Sequence, residues 1–181
     1  MNMIFMRNKT IYFQPVEKIS NNTWRICWNY KEEYEDEYII KNGRKVKSGN
    51  KKYTGFGSWL YFIVNSNVKP TVNDIKTYIT DYINDYVSKK ITTGYKWNGF
   101  TVDLSKTNQL NYKASYDLAV QTNGQNLPVK IKMLNGNDNV YYTFENLDEF
   151  TQFYTNSVKH VQNCLEAGWD WKDSIIWDIY K

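Results

Sequence analysis

The sequence is poor in the residues that build cross-linked or metal-based structures. Its 181 residues include only two cysteines, one histidine and three prolines. Two cysteines are too few for the disulfide framework of a small secreted domain. A zinc site would need carboxylate ligands in addition to the single histidine. The chain is long enough to bury a core without such cross-links, and intracellular synthesis fits this composition best.

Long apolar runs and a strong excess of one charge are also missing. No stretch approaches the roughly 20 apolar residues of a membrane-spanning helix. No long apolar segment follows Met1, so we expect no signal peptide. The net charge is +4, from 23 basic and 19 acidic residues. This balance is not that of a dedicated nucleic-acid-binding protein, and we expect neither a membrane nor nucleic acid as the main partner.

Aromatic residues, in contrast, make up 17% of the chain. A/T-rich codons favour tyrosine but not tryptophan, so the seven tryptophans need a structural or binding reason. Three of them crowd the last thirteen residues, namely Trp169, Trp171 and Trp177. They either close the last part of the core or anchor a partner, because exposed tryptophan beside charge is typical of interfaces. These three are candidate interaction residues.

The first 69 residues predict a β-rich region. Residues 10–16 are rich in strand-forming residues. Residues 23–30 alternate with a period of two, which indicates a half-buried strand. Residues 58–64 are an apolar run and predict a buried strand.

Within this region, residues 31–57 differ because their charges are segregated. Five acidic residues precede a block of six basic residues, and Asn42-Gly43 follows Lys41, the first of the six. Asn-Gly is the strongest two-residue hairpin signal. Folding there brings the acidic block toward the basic one, although Lys41 and Arg44 beside the turn repel each other. We predict a long, exposed and mobile hairpin arm, whose candidate interaction residues are Lys45, Lys47 and Lys51.

Residues 70–93 show the clearest helical pattern. Apolar side chains recur at i, i+3, i+4 and i+7, which predicts a long amphipathic linking helix over about residues 72–92. Thr71 and Asp74 predict a capping box at its start. The stripe of isoleucine and tyrosine packs either on the chain's own sheet or on a partner helix or second copy.

Residues 94–181 predict a domain in which hairpins and helices alternate. Asn98-Gly99 predicts a hairpin with a type I′ turn, and a helix follows from Ser105 to Gly124. After a second hairpin, a third helix begins at the N-cap Asn146 and ends at Gly168. The predicted fold class is therefore α+β, with a β-rich N-terminal part, a linking helix and a hairpin-helix-hairpin-helix C-terminal part.

Few residues indicate chemistry. His160 and Cys164 lie four residues apart on the third helix, a spacing that suits a metal dyad or a nucleophile pair. A free cysteine is more often a small buried apolar residue, so we interpret this pair as structural. The acidic block is typical of a solvated surface, and the glycines at 55 and 57 lack the rest of a phosphate loop. We predict no catalytic, cofactor or metal site, and a protein that is not an enzyme.

The second half of the chain carries a family resemblance. Its motifs are Tyr95-Lys96-Trp97-Asn98-Gly99, Tyr116-Asp117-Leu118-Ala119, Leu147-Asp148-Glu149-Phe150 and Trp171-Lys172-Asp173-Ser174-Ile175. Over residues 70–181 the chain resembles an uncharacterised domain family of tailed phages and prophages of gut Bacteroidales, including crAss-like phages. Related domains occur in tail-fibre and fibre-assembly proteins. Residues 31–57 depart from this family.

The resemblance implies a function rather than a reaction. It implies a non-enzymatic virion structural protein of the tail or fibre apparatus, made in the host cytoplasm. Such a protein acts through contacts with other phage structural proteins in a multi-copy assembly, and no catalytic residue carries over. One alternative is a tail-fibre assembly chaperone that is absent from the mature particle. Another is a nucleic-acid-binding accessory protein, because aromatics among cations bind single strands.

Overall fold

The structure is a computed structural model that describes residues 3–6 and 14–181, with the backbone alone at 3–6 and 56–59. The chain is α+β, as predicted. It divides into two units: unit 1 comprises Met1–Ile79 and Ile175–Lys181, and unit 2 comprises Thr80–Ser174. None of the described helices is both long enough and apolar enough to cross a bilayer.

Unit 1 is built on a four-stranded antiparallel sheet with the order β1-β4-β3-β2. The strands are β1 (Met3–Met6), β2 (Val16–Ser20), β3 (Thr23–Lys41) and β4 (Arg44–Asn65). The strands predicted at 23–30 and 58–64 are parts of the much longer β3 and β4. Of the strand predicted at 10–16, residues 10–13 lie outside the described residues.

The core of unit 1 lies between this sheet and the start of a helix. Ile26, Trp28 and Phe62 are buried on the sheet. The helix α1 (Val72–Gly94) adds Ile75 and Ile79, both fully buried. The apolar stripe of α1 thus packs inside this unit over its first two turns, as one of the two predicted alternatives requires.

The start of α1 is fixed by a local signal. The backbone N–H of Asp74 donates to the Thr71 hydroxyl at 3.2 Å, and the Asp74 carboxylate accepts from the Thr71 backbone N–H at 2.8 Å. This reciprocal pair is the predicted capping box. Its hydrogen bonds hold the pKa of Asp74 below its usual value.

Unit 2 contains a second antiparallel sheet with the order β5-β6-β7-β8. Its elements after α1 are β5 (Lys96–Trp97), β6 (Phe100–Thr101), α2 (Lys106–Gln121), β7 (Val129–Asn135), β8 (Asp138–Phe144) and α3 (Leu147–Asp173). Asn98 and Gly99 have φ values of 47° and 87°, so the predicted type I′ turn is confirmed. A short 3₁₀ helix, Trp177–Tyr180, follows in unit 1.

Aromatic rings dominate the core of unit 2. Phe153 on α3 is fully buried. Its ring centre lies 4.8 Å from that of Phe144, and 5.5 Å from those of both Trp97 and Tyr112. The hydroxyl of the buried Tyr95 donates to the Phe153 carbonyl oxygen at 3.2 Å. One α3 side chain thus contacts rings from both hairpins and from α2.

The predicted end of α3 at Gly168 is wrong. The helix continues to Asp173, where Ser174 is its C-cap. Gly168 is buried, and a Cβ there would lie 2.5 Å from Cγ2 of Val87 on α1. The glycine therefore permits close packing of two helices inside unit 2 and does not terminate one.

Candidate functional site

The most unusual feature of unit 1 is the arm, which we define as residues 31–57. The register pairs β2 with β3 only as far as Ile26, and β1 with β4 only as far as Trp59. From the pair Lys31–Ser58 outward, within the described ranges, β3 and β4 pair only with each other. All of residues 31–41 are exposed, whichever side of the strand they lie on. Over residues 31–53 the arm is therefore a two-stranded ribbon that is open on both faces, whereas Gly55 near its base is buried.

Two local features shape the arm. Asn42 and Gly43 have φ values of 52° and 72°, so the predicted Asn-Gly turn forms the tip. Farther down, three residues of β4 lie opposite Glu37, in a bulge. Ser48 and Asn50 flank Gly49 in this bulge, and both donate to the Glu37 carboxylate, at 3.3 and 3.4 Å.

Acidic and basic side chains face each other across the arm. Asp36 is the cross-strand partner of Lys51, and its carboxylate also lies 2.5 Å from the Lys47 ammonium. The hydrogen bond and charge of Lys47 hold the pKa of Asp36 below its usual value. The Lys45 ammonium lies 4.6 Å from the centre of the Tyr38 ring. The three candidate lysines thus lie on β4, each beside an acidic or aromatic residue of β3.

Large apolar side chains are also exposed on the arm. Ile40 near the tip is 73% exposed. Tyr34 and Tyr53 are cross-strand partners in an edge-to-face contact, with ring centres 5.6 Å apart. The remaining exposed members are Tyr38, Ile39 and Val46. Contiguous exposed apolar side chains among charges are typical of a surface that contacts a partner.

The three candidate tryptophans occupy different environments. Trp171 on α3 packs edge-to-face on Tyr86, with ring centres 5.5 Å apart. Trp169, also on α3, is 55% exposed. Trp177 lies in unit 1 on the 3₁₀ helix, with the Lys76 ammonium 5.6 Å from its ring centre. Of the three, Trp169 therefore has the exposure that an interface anchor requires.

Unit 2 also contains an apolar groove that the sequence analysis missed. It has a volume of about 520 Å³ and lies between α2 and α3, beside the exposed Leu110. Val158 and Leu165 of α3 line it and are 46% and 36% exposed. Both belong to the same sequence stripe as the fully buried Phe150, so periodicity alone could not distinguish the open half of the stripe from the covered half.

His160 and Cys164 come together, as their spacing predicts. His160 Nε2 lies 3.0 Å from the carbonyl oxygen of Lys90 and 3.6 Å from the Cys164 sulfur. Because a carbonyl oxygen only accepts, Nε2 carries the proton and does not serve as a base for the thiol. Burial raises the pKa of the Cys164 thiol, which disfavours the reactive thiolate. Within the part of the chain that the structure describes, no three His, Cys, Asp or Glu side chains cluster as metal ligands.

Comparison with known families completes the description. Residues 74–180 match the family described as a domain of unknown function, DUF4376. The chain belongs to the DUF4376 family. The DUF4376 match includes all of unit 2, whereas the arm and the four strands of unit 1 precede it. No curated protein and no solved structure matches the chain.

Proposed function

We propose that this DUF4376 protein is a non-enzymatic structural component of a bacteriophage particle, in the tail or fibre apparatus, and that it acts through protein–protein contacts. Its site of action is the virion. The sequence motifs over residues 70–181 suggest the phage setting, and the arm suggests the mode of action.

The arm is the observation that carries this proposal. A two-stranded ribbon without a second layer buries little of its own apolar surface. Ile40 and the edge-to-face pair Tyr34 and Tyr53 remain accessible on it. A partner that covers these side chains gains the free energy of apolar burial that the isolated ribbon forgoes. We infer that the arm inserts against an adjacent subunit and becomes ordered on assembly.

The chemistry of the remaining surface favours binding over catalysis. In the most reactive-looking pair, the His160 ring donates its proton to a backbone carbonyl and the Cys164 thiol is held neutral. The groove beside Leu110 is lined by four aliphatic side chains and Tyr154, together with lysine, amide and hydroxyl groups. Such a surface suits contact with another protein.

Mass spectrometry of purified particles tests the proposed location. A stoichiometric signal for this protein is the expected result. If the protein is absent from mature particles but needed for their assembly, it is a fibre-assembly chaperone, and the structural proposal fails.

The role of the arm has a separate test. Replacing residues 32–57 by Asn-Gly joins the paired residues Lys31 and Ser58 through a two-residue turn. We expect this variant to keep its folded circular-dichroism spectrum and to be lost from particles. A variant with Tyr141→Ala, which truncates an exposed side chain on the sheet of unit 2, is the control. Normal incorporation of the shortened chain would exclude the arm as the assembly element.

A further inference from the structure

In the outer part of the arm, residues 36–41 and 44–51, no third described strand pairs with β3 or β4. The register of β2 on β3 ends at Ile26, followed by a hydrogen bond from the Cys27 N–H to the Pro15 carbonyl oxygen at 2.8 Å, and the register of β1 on β4 ends at Trp59. Open edges are templates for another strand. Among the described strands, this outer part of the arm therefore offers one edge on each side.

The charges of the two edges are opposite. Residues 31–41 of β3 carry five acidic side chains and two lysines, whereas residues 44–57 of β4 carry five basic side chains and no acid. Pairing β3 with β3, or β4 with β4, of a second copy would bring like charges together, which destabilises cross-strand neighbours. Pairing β4 of one copy with β3 of another brings opposite charges together.

The strand directions suit this second arrangement. Because β3 and β4 are antiparallel, arms that point the same way place β4 of one copy antiparallel to β3 of the next. Each β3 carboxylate then lies between two basic strands, its own β4 and that of the neighbour. Such a head-to-tail contact repeats around a ring, and closure of the ring satisfies every edge.

We propose that the arms of several copies of this chain pair side by side, β4 of one against β3 of the next, in a closed antiparallel sheet. This inference rests on the proposed function of the arm as an assembly element and identifies its partner as a second copy. The exposed apolar side chains of the arm gain cross-strand neighbours in the same step.

The first experiment measures oligomeric state by light scattering and sedimentation at low and high salt. We expect a concentration-dependent oligomer that weakens as salt rises, because the pairs are solvent-exposed. The variant with Glu33, Glu35 and Glu37 changed to glutamine should associate about tenfold more weakly. A control with Asp81, Asp85 and Asp170 changed to asparagine loses the same charge outside the arm and should associate normally. A chain that stays monomeric, or equal weakening in both variants, would overturn the proposal.

The second experiment distinguishes head-to-tail from symmetric pairing. A swapped-arm variant carries Glu35→Lys, Asp36→Lys and Glu37→Lys together with Lys47→Glu, Lys51→Glu and Lys52→Glu. The cross-strand pairs 35–52 and 36–51 and the contact 36–47 then keep opposite charges, so the arm itself keeps its pairing. We expect swapped chains to associate with one another and, when mixed with differently tagged native chains, to sort into separate oligomers. Mixed oligomers would indicate β3–β3 or β4–β4 contacts and would overturn the proposal.

Failure of this inference is distinguishable from failure of the proposed function. A monomeric chain whose arm is nevertheless required for incorporation would overturn pairing between copies, because the arm would then bind a different component of the particle. If the chain is retained on heparin, and this retention is lost when Lys47, Lys51 and Lys52 are changed to glutamine, the partner is a nucleic acid and the proposal is overturned. The proposed assembly role falls only if incorporation is normal without the arm.

Discussion

The arm and unit 2 use the same kind of residue in opposite ways. In unit 2, Phe153 is fully buried among rings from two hairpins and a helix. In the arm, Tyr34 and Tyr53 pack edge-to-face but remain about half exposed. The two regions differ in the number of packed layers. Unit 2 packs helices against its sheet, whereas the arm is a single two-stranded ribbon. A high aromatic content therefore does not by itself indicate a core or an interface, since a second layer decides which it becomes.

The largest effect that this comparison predicts is in unit 2. Phe153→Ala removes a ring in contact with aromatic groups from several elements and should destabilise unit 2 by about 3–5 kcal/mol. Urea unfolding monitored by near-ultraviolet circular dichroism measures this change. Tyr53→Ala in the arm is the matched control and should leave the midpoint of that transition unchanged. A similar shift for both variants would show that the arm is part of the same cooperative core.

The second prediction concerns the contact between α3 and α1 inside unit 2. Gly168→Ala places a methyl group 2.5 Å from Cγ2 of Val87, and overpacking of this kind costs about 1–3 kcal/mol. The cost of this clash should outweigh the gain in helix propensity that alanine brings. Asn156→Ala, at an exposed position of α3, is the control, because it raises helix propensity without causing a clash.

The double variant Gly168→Ala with Val87→Ala checks the cause. It should recover part of the stability lost in Gly168→Ala, because the clashing methyl group is gone. If Gly168→Ala is instead more stable than the native protein in thermal unfolding, the helices do not pack as closely as the structure places them.

Local signals explain which features were predictable. Asn42-Gly43, Asn98-Gly99 and the capping box at Thr71 each act within four residues, and all three form as predicted. The α+β class was likewise predictable from periodicity. Gly168 was misassigned as a helix end because the contact that requires glycine there is with Val87, which lies far away in the sequence.

The candidate site was only partly predictable for the same reason. The charged hairpin was visible in the sequence, since the two blocks flank a turn signal. Its open edges were not, because they depend on where β1 and β2 stop pairing, at Trp59 and Ile26. The groove was hidden because Val158 and Phe150 share one helical stripe, and only the position of α2 decides which part of it is covered.

A smaller loss of stability is expected when the N-cap of α3, a local interaction within unit 2, is removed. The Asn146 side chain accepts a hydrogen bond from the Glu149 backbone N–H at 2.9 Å and so caps α3. Asn146→Ala should destabilise unit 2 by about 1 kcal/mol. Ser105 precedes α2 without a side-chain cap hydrogen bond, so Ser105→Ala should have a much smaller effect in the same thermal unfolding experiment. Equal effects would contradict this assignment of the two caps.

The last prediction compares the two halves of a single strand. Burial raises the pKa of the Cys27 thiol from 9.0 to about 11, whereas Ile40 on the same strand is largely exposed. With Cys164→Ser as background, a thiol at Ile40→Cys should react with a disulfide reagent at pH 8 about 100-fold faster than Cys27, from thiolate content alone.

The same shift sets the direction of the pH dependence. Because the folded state holds the Cys27 proton more tightly than the unfolded chain, its contribution to stability is complete below pH 9 and is lost as the pH rises toward 11. The reaction rate of Cys27 should therefore keep rising until the pH reaches about 11, whereas the rate of Ile40→Cys should level off above pH 9. If both thiols react at the same rate at pH 8, β3 does not pass from a buried core half at Cys27 to an exposed arm half at Ile40. The arm would then be part of the fold of unit 1 and not a separate element available to a partner.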